Sequence, residues 1–249
     1  MTTVEKNNLV GFLLVNKPEN ISSYDCIRYI KKIVKEKIKI GHTGTLDNFA
    51  TGLLIICIGK PATKFSGTLT NLDKEYIIKA KLGELTDTLD CTGKVLEKTE
   101  LPSITEKDLL SAIKKLGKSY IQVPPIYSAL KYKGKPLYHL ARTKKIDPQK
   151  LEEIVKEKGR KVLIHNLELL EFDPPFFTIK AHVSKGTYAR SLANDIAQIL
   201  KVPATTYELQ RTKIGELQIQ NSINLNEINS VQDIVSNCIS IEEIQQKLT

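Results

Sequence analysis

A chain of 249 residues with 41% apolar and 26% charged content can bury a sizeable core as one large or two modest domains. Its longest apolar run, Leu53 to Ile58, is far too short to cross a membrane, which excludes a helical membrane protein. A net charge of +9 and a pI near 9.2 favour a polyanionic partner without demanding one. The four cysteines, Cys26, Cys57, Cys91 and Cys238, are scattered, form no Cys-x-x-Cys and lie near no His at zinc-ligand spacing. Cys26 and Cys57 sit in apolar patterns as small core residues, and a reduced, cytoplasmic setting fits. Met1 to Asn8 is polar and lacks an apolar signal core, so a soluble protein that is not exported is expected.

In chain order, Gly11 to Asn16 reads as a strand ended by Lys17-Pro18. Ser22 then opens a helix, with Asp25 in capping-box position and Cys26, Ile27, Ile30, Ile33 and Val34 on one face. The opposite face carries Arg28, Lys31, Lys32 and Lys35, either a solvated surface or an RNA contact. Leu53 to Ile58 reads as a strand buried on both faces, and Lys74 to Gly83 as an alternating strand. A helix from Glu106 to Leu116 is expected to bury Leu109, Leu110, Ile113 and Leu116, with Gly117 past its end. A short helix follows from Leu137, and Lys144 to Lys161 reads as a highly charged surface segment or helix. Strands are expected over Val162 to Phe172 and Phe176 to Val183, a helix over Thr187 to Leu200 and a late strand over Glu208 to Gly215. Glu216 to Thr249 is polar with short amphipathic pieces such as Ile241 to Leu248. Strands and helices interleave irregularly, which predicts an α+β fold: a mixed, mainly antiparallel sheet flanked by helices.

The stretch that organises the chain is Gly41-His42-Thr43-Gly44-Thr45-Leu46-Asp47-Asn48-Phe49-Ala50-Thr51-Gly52-Leu53-Leu54. Three glycines allow positive φ or close approach, and the polar loop is clamped between two strands, a placement that suits a reactive group. On composition alone Asp47 could equally be a turn residue, since Asx side chains bond their own backbone. The glycine spacing of phosphate-cradling and dinucleotide-binding loops is missing, which disfavours a nucleotide-binding α/β enzyme.

This stretch resembles the catalytic motif of the TruB-type tRNA pseudouridine synthases. Five further blocks recur in that family's order: Leu14 to Pro18 with Ser22-Ser23; Lys74-Glu75-Tyr76; Thr86 to Asp90 with Gly93; Pro124 to Lys131; and Ser184 to Arg190 followed by Leu209 to Thr212. The resemblance covers about Gly11 to Gly215 and implies the pseudouridine synthase fold. It places a catalytic domain at 1–215. It leaves 216–249 as a short C-terminal segment, too short for the small RNA-binding PUA-type domain that bacterial members carry. Asn48-Phe49 departs from the family, where Pro is frequent after the Asp.

What the resemblance implies is isomerisation of uridine 55 in the T-loop of tRNA, with no cofactor, no membrane, no obligate protein partner and a monomeric enzyme. Asp47 would be the essential carboxylate and Arg190 its guanidinium partner. Tyr76 would stack on the uracil and serve in C5 deprotonation. Tyr188 and Leu209 would wall the pocket, and His42 would meet the rearranged RNA loop. Lys17, Lys64, Lys131, Lys133 and Lys185 would contact phosphates. Without the resemblance, Tyr76 reads as strand packing, Arg190 as a solvated side chain and His42 as a turn residue. His139, His165 and His182 match nothing catalytic. The alternatives are a non-catalytic tRNA-binding or tRNA-folding protein of the same fold, and a guide-RNA-dependent synthase like dyskerin.

Overall fold

A computed structural model describes residues 9–35, 37–143 and 146–248. The expectations for Met1 to Asn8, and for Lys144-Lys145 within the charged segment, lie outside the described residues. The chain divides into two compact units, one of Met1–Tyr76 with Gln210–Thr249 and one of Ile77–Leu209. Among the described residues no helix is long and apolar enough to cross a membrane.

The first unit is built around the apolar strand Thr51–Ile58, of which Leu53 to Ile58 are fully buried. On one side it pairs antiparallel with Gly11–Lys17 along seven residues, from Gly11 opposite Ile58 to Lys17 opposite Gly52. On its other side two partners divide its length. Ile40–Thr43 pairs antiparallel with Ile55 to Ile58, and the start of the strand, at Thr51 and Gly52, pairs parallel with Gln210 and Arg211. The Gly44 to Ala50 loop therefore leaves one partner and returns above the point where another enters.

The sheet's two faces sort their residues with period two. Leu13, Val15, Leu54, Ile56 and Ile58 pack with Cys26, Ile27 and Ile30 of the helix Ser23–Val34. Phe12, Leu14, Leu53, Ile55 and Cys57 pack on the other face with Ala62 and Leu69 of the helix Gly59–Thr70. Ser22 and Asp25 form the expected capping box. The unit also takes in the end of the chain. Ile223–Asn224 and Cys238–Ile239 pair with the outer edge of Gly11–Lys17, and Ile228, Ile234 and Ile244 are fully buried. Each such side chain contributes roughly 1.5–3 kcal/mol of burial.

In the second unit the strands run in the order Ala204–Ile214, Lys74–Leu82, Phe176–Val183, Arg160–Asp173, Ser119–Gln122, the first two contributing only their residues 204–209 and 77–82 respectively. Phe176–Val183 and Arg160–Asp173 form an antiparallel hairpin around Pro174-Pro175. The helices Glu106–Leu116 and Ala189–Ile199 pack together. The first keeps most of the expected inward face, with Leu109 buried and Ile113 and Leu116 partly buried, but Ala112 is buried as well and Leu110 is 45% exposed. A small separate core joins Leu137 and Leu140 of the helix Leu137–Thr143 to Leu151, Ile154 and Val155 of the helix Pro148–Glu157, which Asp147 caps.

Candidate active site

Asp47 and Tyr76 lie in the first unit, with His42, Lys17 and Lys64; Arg190, Tyr188, Leu209, Lys131, Lys133 and Lys185 lie in the second.

The backbone around Asp47 is held from below. The Ser23 hydroxyl accepts from the Leu46 amide at 2.9 Å and donates to the Leu46 carbonyl at 3.2 Å. The Asn48 carbonyl accepts from the Asn20 amide at 2.8 Å and from the Lys17 ammonium at 3.2 Å. Ala50 closes the turn by donating to the Asp47 carbonyl at 3.1 Å. Leu46, Phe49 and Ala50 are buried, so the loop is anchored at each side of the half-exposed Asp47. The opening block Leu14 to Ser23 is thus a cradle for the Asp47 loop.

Lys17 is 0% exposed, and its ammonium donates to the carbonyls of Pro18 and Ile21, both at 2.8 Å, besides that of Asn48. Burial lowers its pKa to about 8, against a smaller upward pull from neighbouring acidic groups, among them Asp47. Its protons are spent on the protein's own backbone, so it supports the loop instead of facing a phosphate. Lys64, Lys131, Lys133 and Lys185 are exposed.

Arg211 falls inside a matched block with no role expected of it. The structure places it 1% exposed beneath the loop. Its Nε donates to the Leu53 carbonyl at 2.8 Å and its Nη2 to the Gly44 carbonyl at 3.1 Å. Leu53 lies just beyond the ladder to Ile40–Thr43, which stops at Ile55, so the guanidinium takes up backbone acceptors where that ladder ends. Burial pulls the Arg211 pKa down, while the Tyr76 hydroxyl, within hydrogen-bonding reach, and the Asp47 carboxylate pull the other way. A signal was available: Arg211 shares its strand parity with the buried Leu209, as Lys17 does with Leu13 and Val15.

Tyr76 is buried on the strand Lys74–Leu82, and its neighbour Glu75 accepts from the Thr212 hydroxyl at 2.8 Å. That bond sets residues 75–76 beside 211–212. His42, paired with Ile56, is partly buried, and its Nδ1 has no hydrogen-bond partner among the described residues. Burial first, then the Arg211 charge, hold it below the ordinary imidazole value, so it is neutral at pH 7.

In the second unit Arg190 is 4% exposed, which removes the reading as a solvated side chain. It donates to the Thr88 carbonyl at 2.5 Å, to the Asp90 carboxylate at 3.2 Å and to the Tyr127 carbonyl at 3.0 Å. Asp90 in turn accepts from Thr88, from Thr92 Oγ1 and from the Thr92 amide, which fixes the Thr86 to Gly93 turn. One guanidinium thereby joins three of the matched sequence blocks. Leu209 is buried, and Tyr188 is half-buried with the Arg160 guanidinium 5.1 Å from its ring centre.

Gln122 grips the Tyr188 backbone at both ends, accepting from its amide at 2.7 Å and donating to its carbonyl at 3.2 Å. Gln122 also donates to the Tyr120 hydroxyl, which donates to Asp195, both at 2.7 Å. Burial raises the Asp195 pKa to about 6, against the smaller opposing effect of its bonds to Tyr120 and Gln122. A raised carboxyl pKa means the folded state holds a proton that the unfolded chain has released. The cost is absent below about pH 4, grows between about 4 and 6, and is fully present above. Asp195→Asn should therefore stabilise the protein by on the order of 1–2 kcal/mol at pH 8 and by nothing at pH 4, read from urea unfolding at both.

Residues 31–189 match the family described as TruB family pseudouridylate synthase (N terminal domain). A protein of Clostridium tetani named tRNA pseudouridine synthase B is 46% identical over 227 residues, covering 90% of this chain and 75% of that one. One of the same name from Haemophilus influenzae strain Rd is 39% identical over 218 residues, covering 88% and 66%. Among solved structures, a chain of a Cbf5–Nop10–Gar1 complex superposes with a TM-score of 0.67 at 25% identity, covering 91% of this chain and 56% of that one. A chain of the archaeal box H/ACA sRNP Nop10–Cbf5 complex gives 0.67 at 20%, covering 99% and 64%, a likeness of fold alone. This chain thus spans about two thirds to three quarters of the two relatives and less than two thirds of the matched structures.

The α+β architecture with its loop-borne Asp47 is the pseudouridine synthase fold. Within that class, the chain belongs to the TruB family.

Proposed function

We propose that the protein isomerises uridine 55 to pseudouridine in the T-loop of tRNA. The observation that carries the reading is a half-exposed carboxylate, Asp47, on a loop fixed at Leu46 and Asn48, with Tyr76 and Arg211 beside it, in a chain of this family. The reaction breaks the bond from uracil N1 to ribose C1′, turns the base, joins C5 to C1′ and releases the C5 proton. Its product is an isomer of its substrate. It asks for a carboxylate at the sugar or base, a route out for one proton and a pocket that holds a free base in place.

Asp47 supplies the carboxylate. Tyr76 stacks on the uracil and serves in the C5 proton's departure. The family's motif assigns Arg190 as the guanidinium that steadies the Asp47 charge, Tyr188 and Leu209 as pocket walls and His42 as the contact to the opened loop. Neutral at pH 7, His42 can meet bases by stacking and hydrogen bonds. Flipping a stacked uridine costs a few kcal/mol. Exposed Lys64, Lys131, Lys133 and Lys185 are the candidates to offset it through T-arm phosphates, with binding that weakens as salt rises. The chain is read as acting alone, as a monomer, in the cytoplasm.

The test is reconstitution from purified chain and an unmodified tRNA transcript carrying uridine tritiated at C5. One tritium should pass to water per transcript, and carbodiimide-dependent primer-extension stops should place the product at position 55. Absence of release, or product elsewhere with position 55 untouched, overturns the reading.

A further inference from the structure

The first unit holds a buried cation that the reaction does not itself require. Arg211 enters on the strand Ala204–Ile214 opposite Gly52, where the sheet changes partners beneath the Asp47 loop. Its two backbone acceptors are Gly44, where that loop begins, and Leu53, in the strand that follows it. The Thr212–Glu75 bond brings Tyr76 alongside. Gly44, at φ +77, leaves ordinary van der Waals room for the guanidinium: a Cβ there would stand 3.6 Å from its Nη1.

We propose that Arg211 is the positioning residue of the site, one planar guanidinium that spans the mouth of the Asp47 loop and sets the Tyr76 hydroxyl and the Asp47 carboxylate in fixed relation. A buried charge is costly unless its donors are satisfied. Two carbonyls on either side of the loop take up separate nitrogens of one planar fork, Nε and Nη2, whose relative geometry is fixed, whereas an ammonium would present all its donors from a single nitrogen. The cation acts through Asp47 and Tyr76 and does not itself contact the nucleoside. The inference rests on the functional reading above.

The test measures single-turnover tritium release at saturating enzyme, tRNA affinity by filter binding and thermal melting. Wild type, Arg211→Lys, Tyr76→Phe and the double variant are compared. Arg211→Lys should fold, bind tRNA within about threefold of wild type and react about 100-fold more slowly, the scale of a small misplacement at a reacting centre. Because Arg211 works partly through Tyr76, the double variant should be slower than the slower single by no more than about threefold. A rate for Arg211→Lys within about threefold of wild type, a loss confined to affinity, or a double variant whose loss is the product of the singles would overturn the assignment. Should Arg211→Lys fail to fold, citrulline introduced at 211 by semisynthesis keeps the planar shape but loses the charge and exchanges one terminal amino donor for an oxygen, which breaks the fork, and it is read against the same thresholds. Absence of tritium release by the wild type would instead count against the functional reading itself.

Discussion

Asp47→Asn should yield a folded protein that binds unmodified tRNA within about threefold of wild type and releases C5 tritium about 10⁴-fold more slowly, the upper end of what one positioned acid–base group contributes. The substitution keeps shape and removes charge and nucleophilicity. The bonds from Ser23, Asn20, Lys17 and Ala50 use backbone atoms of Leu46, Asp47 and Asn48, and the substitution keeps them. Lys17 and Arg211 both feel the Asp47 charge. Removing it should therefore cost about 1 kcal/mol of stability, visible as a small drop in melting temperature. A residual rate within tenfold of wild type in a melted-and-checked preparation would show that the reacting carboxylate lies elsewhere.

Gly52→Ala should be the most destabilising single-methyl change in the first unit, by roughly 3–4 kcal/mol in urea unfolding. Two costs add. Gly52 sits at φ +105, where a side chain is strained. A Cβ there would stand 2.8 Å from the Arg211 amide nitrogen, with the Arg211 carbonyl oxygen closer still. These are backbone atoms in a parallel pairing and cannot swing aside. Gly67, on an open helix surface, has nothing within 4 Å of where a methyl would stand and provides the control: Gly67→Ala should be neutral or mildly stabilising. Equal behaviour of the two variants would sink the close-approach explanation.

Much of this is readable from the chain because local chemistry and burial agree. Leu53 to Ile58 is apolar at every position and buried at every position. Ser22 and Asp25 make their capping box through neighbouring atoms, so sequence spacing suffices. The helix Gly59–Thr70 escapes a sequence reading because Gly59, Pro61 and its threonines are poor helix formers; Ala62 and Leu69 against the sheet decide the matter. Leu110 is expected inward with the helix's other apolar residues, yet it is 45% exposed while the small Ala112 is buried. The pairing of Ile223–Asn224 and Cys238–Ile239 with the first strand joins residues some 200 positions apart, which no local pattern reports.

The site divides along the same line. Asp47, Tyr76 and Arg190 are proposed for the site on their motifs. Lys17 and Arg211 are not, because a charged side chain in an alternating strand is by default assigned to water. Their inward parity is visible, but it becomes meaningful only once the carbonyls of Asn48, Gly44 and Leu53 are known to need donors. Buried cations are informative for that reason: each marks a place where the backbone leaves its ladder.

The reciprocal Ser23–Leu46 bonds make one serine both the first residue of a helix and a clasp on the loop before Asp47. The enzyme therefore settles the entropy of its carboxylate's backbone while it folds, long before any RNA arrives. An RNA that reaches Asp47 meets a loop whose backbone is already in place at Leu46.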